Sequence, residues 1–158
     1  MRTFQVGLRA DHARTEYGCF STGFRARNRL SQASYVLFRQ EWFAGDPWIR
    51  KGMAEAEIVA ERELGERERE LVLEERGVRF AVTLVREDYA QLYAGEELIQ
   101  DEEIADFRDS VESDRTGRLL VGAIELCEHV PASNVTGFVI GQDWKIDGIR
   151  RLEDRPDP

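Results

Sequence analysis

The dipeptide Asp147-Gly148 stands between two apolar-rich runs, Val135–Ile146 and Ile149–Leu152. Asp-Gly fits the tight two-residue turn of a β-hairpin, so this stretch predicts a pair of antiparallel strands at the C-terminal end. A second hairpin is predicted around Arg76-Gly77, where Leu71, Val72 and Leu73 precede and Val78, Phe80, Val82 and Leu84 follow. Helical and strand patterns are interspersed among these hairpins without the regular alternation of a doubly wound parallel sheet. The expectation is an α+β fold: a single domain with a mainly antiparallel sheet and hairpins, covered by two or three helices. Residues 1–152 form that domain, and 153–158 form a frayed tail.

The clearest helix start is Gly45-Asp46-Pro47. Asp46 can accept hydrogen bonds from free N–H groups of the first turn, and Pro47 loses nothing at the first helical position. Ile49, Met53, Ala56, Ala60 and Leu64 follow at helical spacing, with Gly65 placed to close the helix. A strand over Glu57–Leu64 is the alternative. Upstream, Phe4, Val6 and Leu8 alternate with polar residues and predict a strand over Thr3–Arg9. Residues 10–32 show no period and predict a long loop or irregular strands. Ser34–Trp42, rich in aromatic and β-branched residues, predicts another strand.

Farther on, Asp88–Tyr93 reads as a short helix with a turn at Gly95, and Asp101–Val111 as a capped helix with Ile104, Phe107 and Val111 inward. Leu119–Cys127 fits either a helix or a buried strand, and Pro131 ends it in both cases.

A chain of 158 residues, 42% hydrophobic and 34% charged, has enough apolar material for a core. It is not of disordered, collagen-like or disulfide-dense composition. The first nine residues contain no apolar h-region, and the longest apolar stretch, Leu119–Ile124, is far short of a spanning helix. Cys19 and Cys127 are the two cysteines, too few for a disulfide framework. The expectation is a cytoplasmic protein with no membrane contact.

Charge is unevenly distributed. Residues 1–51 carry nine basic and four acidic side chains, a net +5, whereas 52–158 carry a net -14. Such a division is what a bipolar field facing a charged partner would need, and equally what neutralisation across one fold or a homodimer contact would need. Of the 22 basic residues only Lys51 and Lys145 are lysine. Guanidinium groups bind carboxylate or phosphate in a fixed fork, although scattered arginines also follow from a genome's codon usage.

Several sets of residues have chemical potential. His12, Cys19, Cys127 and His129 comprise all the histidines and cysteines, and two of each could bind zinc. On a strand, Cys127 and His129 would leave the same face; on a helix they would diverge by about 200°. His12 and Cys19 match no common finger spacing, so structural roles are expected and no metal is assigned. Cys19, inside Tyr17-Gly18-Cys19-Phe20-Ser21-Thr22-Gly23, is the better candidate for a thiol nucleophile, which would need a nearby base. The same Gly-flanked segment lacks the lysine and spacing of a P-loop. The acidic run Asp101, Glu102, Glu103, Asp106 and Asp109 lacks the spacing of a calcium loop. The alternating charges of Glu61–Glu75 read as a solvated face.

Arg25, Arg27, Arg29 and Arg39 are interleaved with Phe20, Phe24, Tyr35, Phe38 and Trp42. Alternate arginines on one strand face beside aromatic rings are the ingredients of single-strand nucleic-acid binding. The net charge of -9 opposes it. Trp42 and Trp48 bracket a turn that could present an aromatic pair, and aromatic and arginine residues dominate contact hot spots. The sequence therefore points to a small non-catalytic binding or accessory protein of regulatory or inhibitor type, acting through protein–protein contacts. Arg25, Arg27, Arg29, Arg39, Trp42 and Trp48 form the expected binding surface. A protein partner or a second copy is expected, and no cofactor. The alternative is a small enzyme using Cys19 or a Cys/His metal site, and a third reading is a nucleic-acid-binding module.

Overall fold

The computed structural model describes residues 1–99 and 134–152. The fold is α+β with an antiparallel sheet. The described residues hold five helices, more than the two or three expected: α1 (Arg2–Ala10), α2 (Ala13–Tyr17), α3 (Thr22–Arg27), α4 (Gln32–Gly45) and α5 (Pro47–Glu55). The strands are β1 (Glu57–Gly65), β2 (Glu68–Glu75), β3 (Val78–Ala94), β4 (Glu97–Ile99) and β5 (Gly137–Leu152). The chain divides into two compact units, Met1–Val85 with Trp144–Pro158, and Arg86–Asp143.

Three N-terminal segments differ from expectation. Thr3–Arg9 is helical, not a strand. Its buried positions are Phe4, Gln5, Gly7 and Leu8, while Val6 is 52% exposed. Positions i and i+4 share a face in both periodicities, so Phe4 and Leu8 could not discriminate; Val6 at i+2 does. Residues 10–32 are not a loop but contain α2 and α3, each capped by a side chain. His12 accepts from the Thr15 N–H, and Ser21 accepts from the Phe24 N–H. Ser34–Trp42 lies in α4, not in a strand. Ser31 and Ser34 form a reciprocal capping box at its start. Tyr35, Phe38, Arg39, Trp42 and Phe43 then follow at helical spacing, with Tyr35 and Arg39 buried.

Helix α5 begins as expected, with Asp46 accepting from the Trp48 N–H at 3.1 Å and Pro47 in the first turn. It ends at Glu55 instead of running to Gly65, because α1 caps it. Gln5 Nε2 donates to the Met53 and Ala56 carbonyls at 3.1 and 2.8 Å, and Arg9 Nη1 to Ala54 at 2.9 Å. These satisfy carbonyls that a helix end leaves without intrahelical partners. The strand alternative for Glu57–Leu64 is the one realised, as β1.

The Arg76-Gly77 hairpin is present. Both residues have positive φ, 50° and 79°, the signature of a type I′ turn. The turn sets the register Glu75↔Val78 through Glu68↔Val85. Consequently Leu71 faces Val82 and Leu73 faces Phe80, and all four are buried. Strand β1 pairs antiparallel with β2, with register shifts between Ile58 and Ala60 and between Glu63 and Gly65. These leave Val59 and Leu64 unmatched in β2.

The C-terminal hairpin expected at Asp147-Gly148 is absent: β5 runs straight through it. Neither residue has positive φ. Tertiary pairing overrides the turn signal, since Gly148 lies beside Thr83 of β3 and Asp147 is held by side chains of the helical segment. In the first unit the sheet order is therefore β1-β2-β3-β5. Outside β5, the Cys19–Ser21 segment adds a short parallel bridge: the Ser21 N–H donates to the Ile146 carbonyl at 2.9 Å, and the Ile146 N–H to the Cys19 carbonyl at 2.8 Å.

The core of this unit lies between helices and sheet. Phe20 is its hub, edge-on to Phe4 (5.2 Å between ring centres), stacked on Phe24 (4.4 Å), and near Tyr35 and Trp42. Leu8, Ile49, Met53, Leu71, Leu73, Phe80, Val82, Leu84 and Ile146 complete it.

In the second unit β3 continues as a strand where a helix over Asp88–Tyr93 was expected, and turns at Gly95 into β4. Leu92 is buried, and Gln142 donates to the buried Asp88 at 2.6 Å. The expected Asp101–Val111 helix, Leu119–Cys127, Pro131 and the tail 153–158 lie outside the described residues.

Candidate functional site

Of the expected binding surface, Arg25 and Arg39 are buried and Trp42 packs inward, whereas Arg27 and Arg29 are exposed. Arg25, Arg27 and Arg29 do not alternate on a strand face, because α3 and its C-terminal cap carry them. Arg25 is buried, its guanidinium 4.8 Å from the centre of the Tyr17 ring. Arg27 is exposed and bound to Asp147. Arg29 is exposed, at a positive φ of 52°. Arg39 is buried, and Trp42 packs against Phe20 and Phe38. Trp48 lies apart from Trp42, against Gly52 one helical turn on in α5. These six residues do not form one surface.

Two of them, Arg39 and Arg27, belong to polar assemblies. In the first, Glu16 is fully buried, accepting from the Tyr35 hydroxyl at 3.0 Å and from Arg39 Nη2 at 2.7 Å. Arg39 also binds Asp11 at 2.8 Å, and Arg50 binds Asp11 at 3.1 Å. Two carboxylates and two guanidiniums thus tie α2 to α4, and the α1–α2 junction to α4 and α5. Burial pushes the Glu16 carboxyl above the ordinary glutamate value, a shift that Arg39 and the Tyr35 hydrogen bond oppose. Burial and the adjoining Glu16 carboxylate raise the Tyr35 phenol.

In the second assembly, the buried Ser21 hydroxyl donates to Asp147 Oδ1 while accepting from the Phe24 N–H. Arg27 Nη2 binds both the Asp147 carbonyl, at 2.6 Å, and its carboxylate, at 2.8 Å. Lys145 Nζ donates to the Gly18 carbonyl at 2.8 Å. This assembly fastens β5 to the helical segment.

The residues considered for a metal or a nucleophile are placed as follows. His12 Nδ1 accepts from the Thr15 N–H and lies 2.6 Å from the Thr15 hydroxyl, so His12 serves α2 as its cap. The half-buried Cys19 thiol donates to the Thr15 carbonyl at 3.2 Å. Cys127 and His129 lie outside the described residues, as does the acidic run 101–109. Among the described residues no group of three or more His, Cys, Asp or Glu side chains is arranged to hold a metal ion. No described helix is long and apolar enough to cross a membrane.

The feature left open in the first unit is the outer edge of β1. Every residue of this nine-residue strand is exposed, including Ile58 (49%), Val59 (49%) and Leu64 (43%). Among the described residues no strand pairs with that edge, whereas β5 at the other edge is bridged by Cys19–Ser21. An open edge presents unpaired N–H and C=O groups, a template for another strand. The charges at mid-strand are already met on β2: Arg69 binds Glu61 at 3.0 Å, and Arg62 binds Glu70 at 3.2 Å. Sequence reasoning named this strand only as an alternative to helix. The signal available was the β-branched pair Ile58-Val59 followed by alternating charges.

In comparisons with known proteins, no family model, no curated protein and no solved structure matches the chain.

Proposed function

We propose that the protein is a non-catalytic binding protein that acts through protein–protein contacts, with the outer edge of β1 as the contact element and a second copy as its first partner. The observation that carries this reading is the asymmetry of the sheet in the first unit: one edge is bridged, and the other, unpaired among the described residues, is a fully exposed nine-residue strand carrying Ile58, Val59 and Leu64. Strand addition at such an edge draws affinity from main-chain hydrogen bonds and selectivity from side chains. A two-fold axis through an antiparallel pair makes one strand complementary to itself. Its apolar residues lie toward the two ends, Ile58-Val59 and Leu64. Antiparallel self-pairing therefore brings Ile58-Val59 of one copy next to Leu64 of the other, twice.

Val59 and Leu64 have no partner residue in β2, so changing them leaves the β1–β2 ladder intact. Native mass spectrometry of the wild type and of the double variant Val59→Lys, Leu64→Lys tests the reading. A wild-type dimer that becomes a folded monomer in the variant is expected. A wild-type monomer, or a dimer insensitive to both lysines, would overturn it.

A further inference from the structure

A cleft of about 390 Å³ lies between α5 and the tip of the β2–β3 hairpin, both in the first unit. We infer that it binds a small planar aromatic carboxylate, the ring lying against Trp48 and the carboxylate held between Lys51 and Arg76. The volume falls in the range of small-molecule sites.

Three observations converge there. The indole of Trp48 lies so close over Gly52 that a Cβ at residue 52 would come within 2.4 Å of it. Gly52 thus allows the ring to lie along the helix, and the Asp46 cap with Pro47 fixes the backbone that carries it. A large, flat, pre-positioned aromatic surface stacks on another ring in offset or edge-on geometry.

Next, Lys51 lines the cleft with no ion pair or hydrogen bond to any described residue. Finally, Arg76 occupies a left-handed turn position, φ 50°, that favours Asn, Asp or Gly. An arginine held in that conformation is strained, and such strain recurs where a side chain is used in binding. Its Nε binds Glu75 at 3.1 Å, which leaves both terminal nitrogens of the guanidinium for a ligand.

The lining also decides the anion. Glu55 and Glu75 border the same cleft as Lys51 and Arg76, and Glu75 is paired with Arg76. Beside those two carboxylates a phosphate dianion is repelled more strongly than a carboxylate monoanion. A carboxylate fits and a phosphate monoester does not.

The probe is 2-naphthoate, followed through the Trp48 indole N–H signal in ¹⁵N-labelled full-length protein, with neutral 2-naphthamide as the control. For a ligand of this size a dissociation constant of about 1 mM is expected. Arg76→Gly suits the turn better than arginine, so this variant folds at least as well as the wild type. It and Lys51→Gln should each weaken 2-naphthoate about tenfold, with no change in 2-naphthamide. The inference is overturned if 2-naphthoate leaves the Trp48 signal unmoved, if 2-naphthamide binds as tightly, or if the two variants bind 2-naphthoate like the wild type.

Discussion

Replacing Arg39 with methionine removes the main cation facing a carboxylate with no access to water. Glu16 would keep the Tyr35 hydroxyl at 3.0 Å and lose the guanidinium at 2.7 Å. Breaking a buried ion pair from one side costs about 3–5 kcal/mol, because the remaining charge is stranded. Arg39 Nε is itself buried without a hydrogen-bond partner, so its removal relieves one penalty and the lower end applies, about 3 kcal/mol. For a folding unit of roughly 100 residues, that corresponds to a fall in Tm of about 12–24 °C at neutral pH.

The cost depends on pH, and its direction follows from Glu16. Its folded-state pKa is raised above the ordinary 4.5 by burial. The native state therefore holds the proton more tightly than the unfolded chain. The contribution is fully present below about pH 4.5 and is lost as pH rises through the folded value. In Arg39→Met the opposing cation is gone and the folded pKa rises further. Destabilisation should then be small at pH 4, where Glu16 is neutral in both states, and reach its full size at pH 7.

Thermal melts of wild type, Arg39→Met, Glu16→Gln and the double variant across pH 4–8 provide the test. The double variant should recover stability relative to Arg39→Met, because no charge remains stranded. Equal destabilisation by Arg39→Met at pH 4 and pH 7, or no recovery in the double variant, would refute the reasoning.

Two further perturbations address the other fastenings. Ser21→Ala removes the cap of α3 and the hydroxyl on Asp147, and should cost about 2 kcal/mol in urea unfolding, with Ser21→Thr retaining most of it. Gln5→Leu keeps the volume of a buried side chain and strips two carbonyls at the end of α5 of their donor. A loss of about 2 kcal/mol is expected. Stability within 0.5 kcal/mol of wild type would show that those carbonyls find other partners.

What was readable in the sequence divides by the range of the determining contact. The start of α5 and the β2–β3 hairpin are written in adjacent residues: a cap with its proline, and a turn followed by a register that alternation enforces. The failures occurred where local signals were ambiguous or overruled. Phe4 and Leu8 fit both periods, and the aromatic richness of Ser34–Trp42 obscured spacing that is helical when counted from Tyr35. Asp147-Gly148 is a good turn on its own. Its conformation is instead set by Ser21 and Arg27, far away in sequence, which no local pattern reveals. Of the candidate sites, the Trp48 corner was visible as an aromatic beside a helix start. Its companion Arg76 was visible only as half of a turn.

The basic first third of the chain takes on a different meaning once its arginines are followed to their partners. Arg39 and Arg50 converge on Asp11, Arg39 also on Glu16, Arg27 on Asp147, and Arg9 on the last carbonyls of α5. These four arginines bind helices to one another and, through Arg27, to β5. Guanidinium suits that task better than ammonium, since one planar group can serve several acceptors at once, as Arg39 does. A field built for an external anion would leave such groups solvated and convergent. Among the described residues, Lys51 at the α5–hairpin cleft has no ion pair, and no strand pairs with the outer edge of β1. Recognition by this protein is therefore expected at β1 and at the cleft.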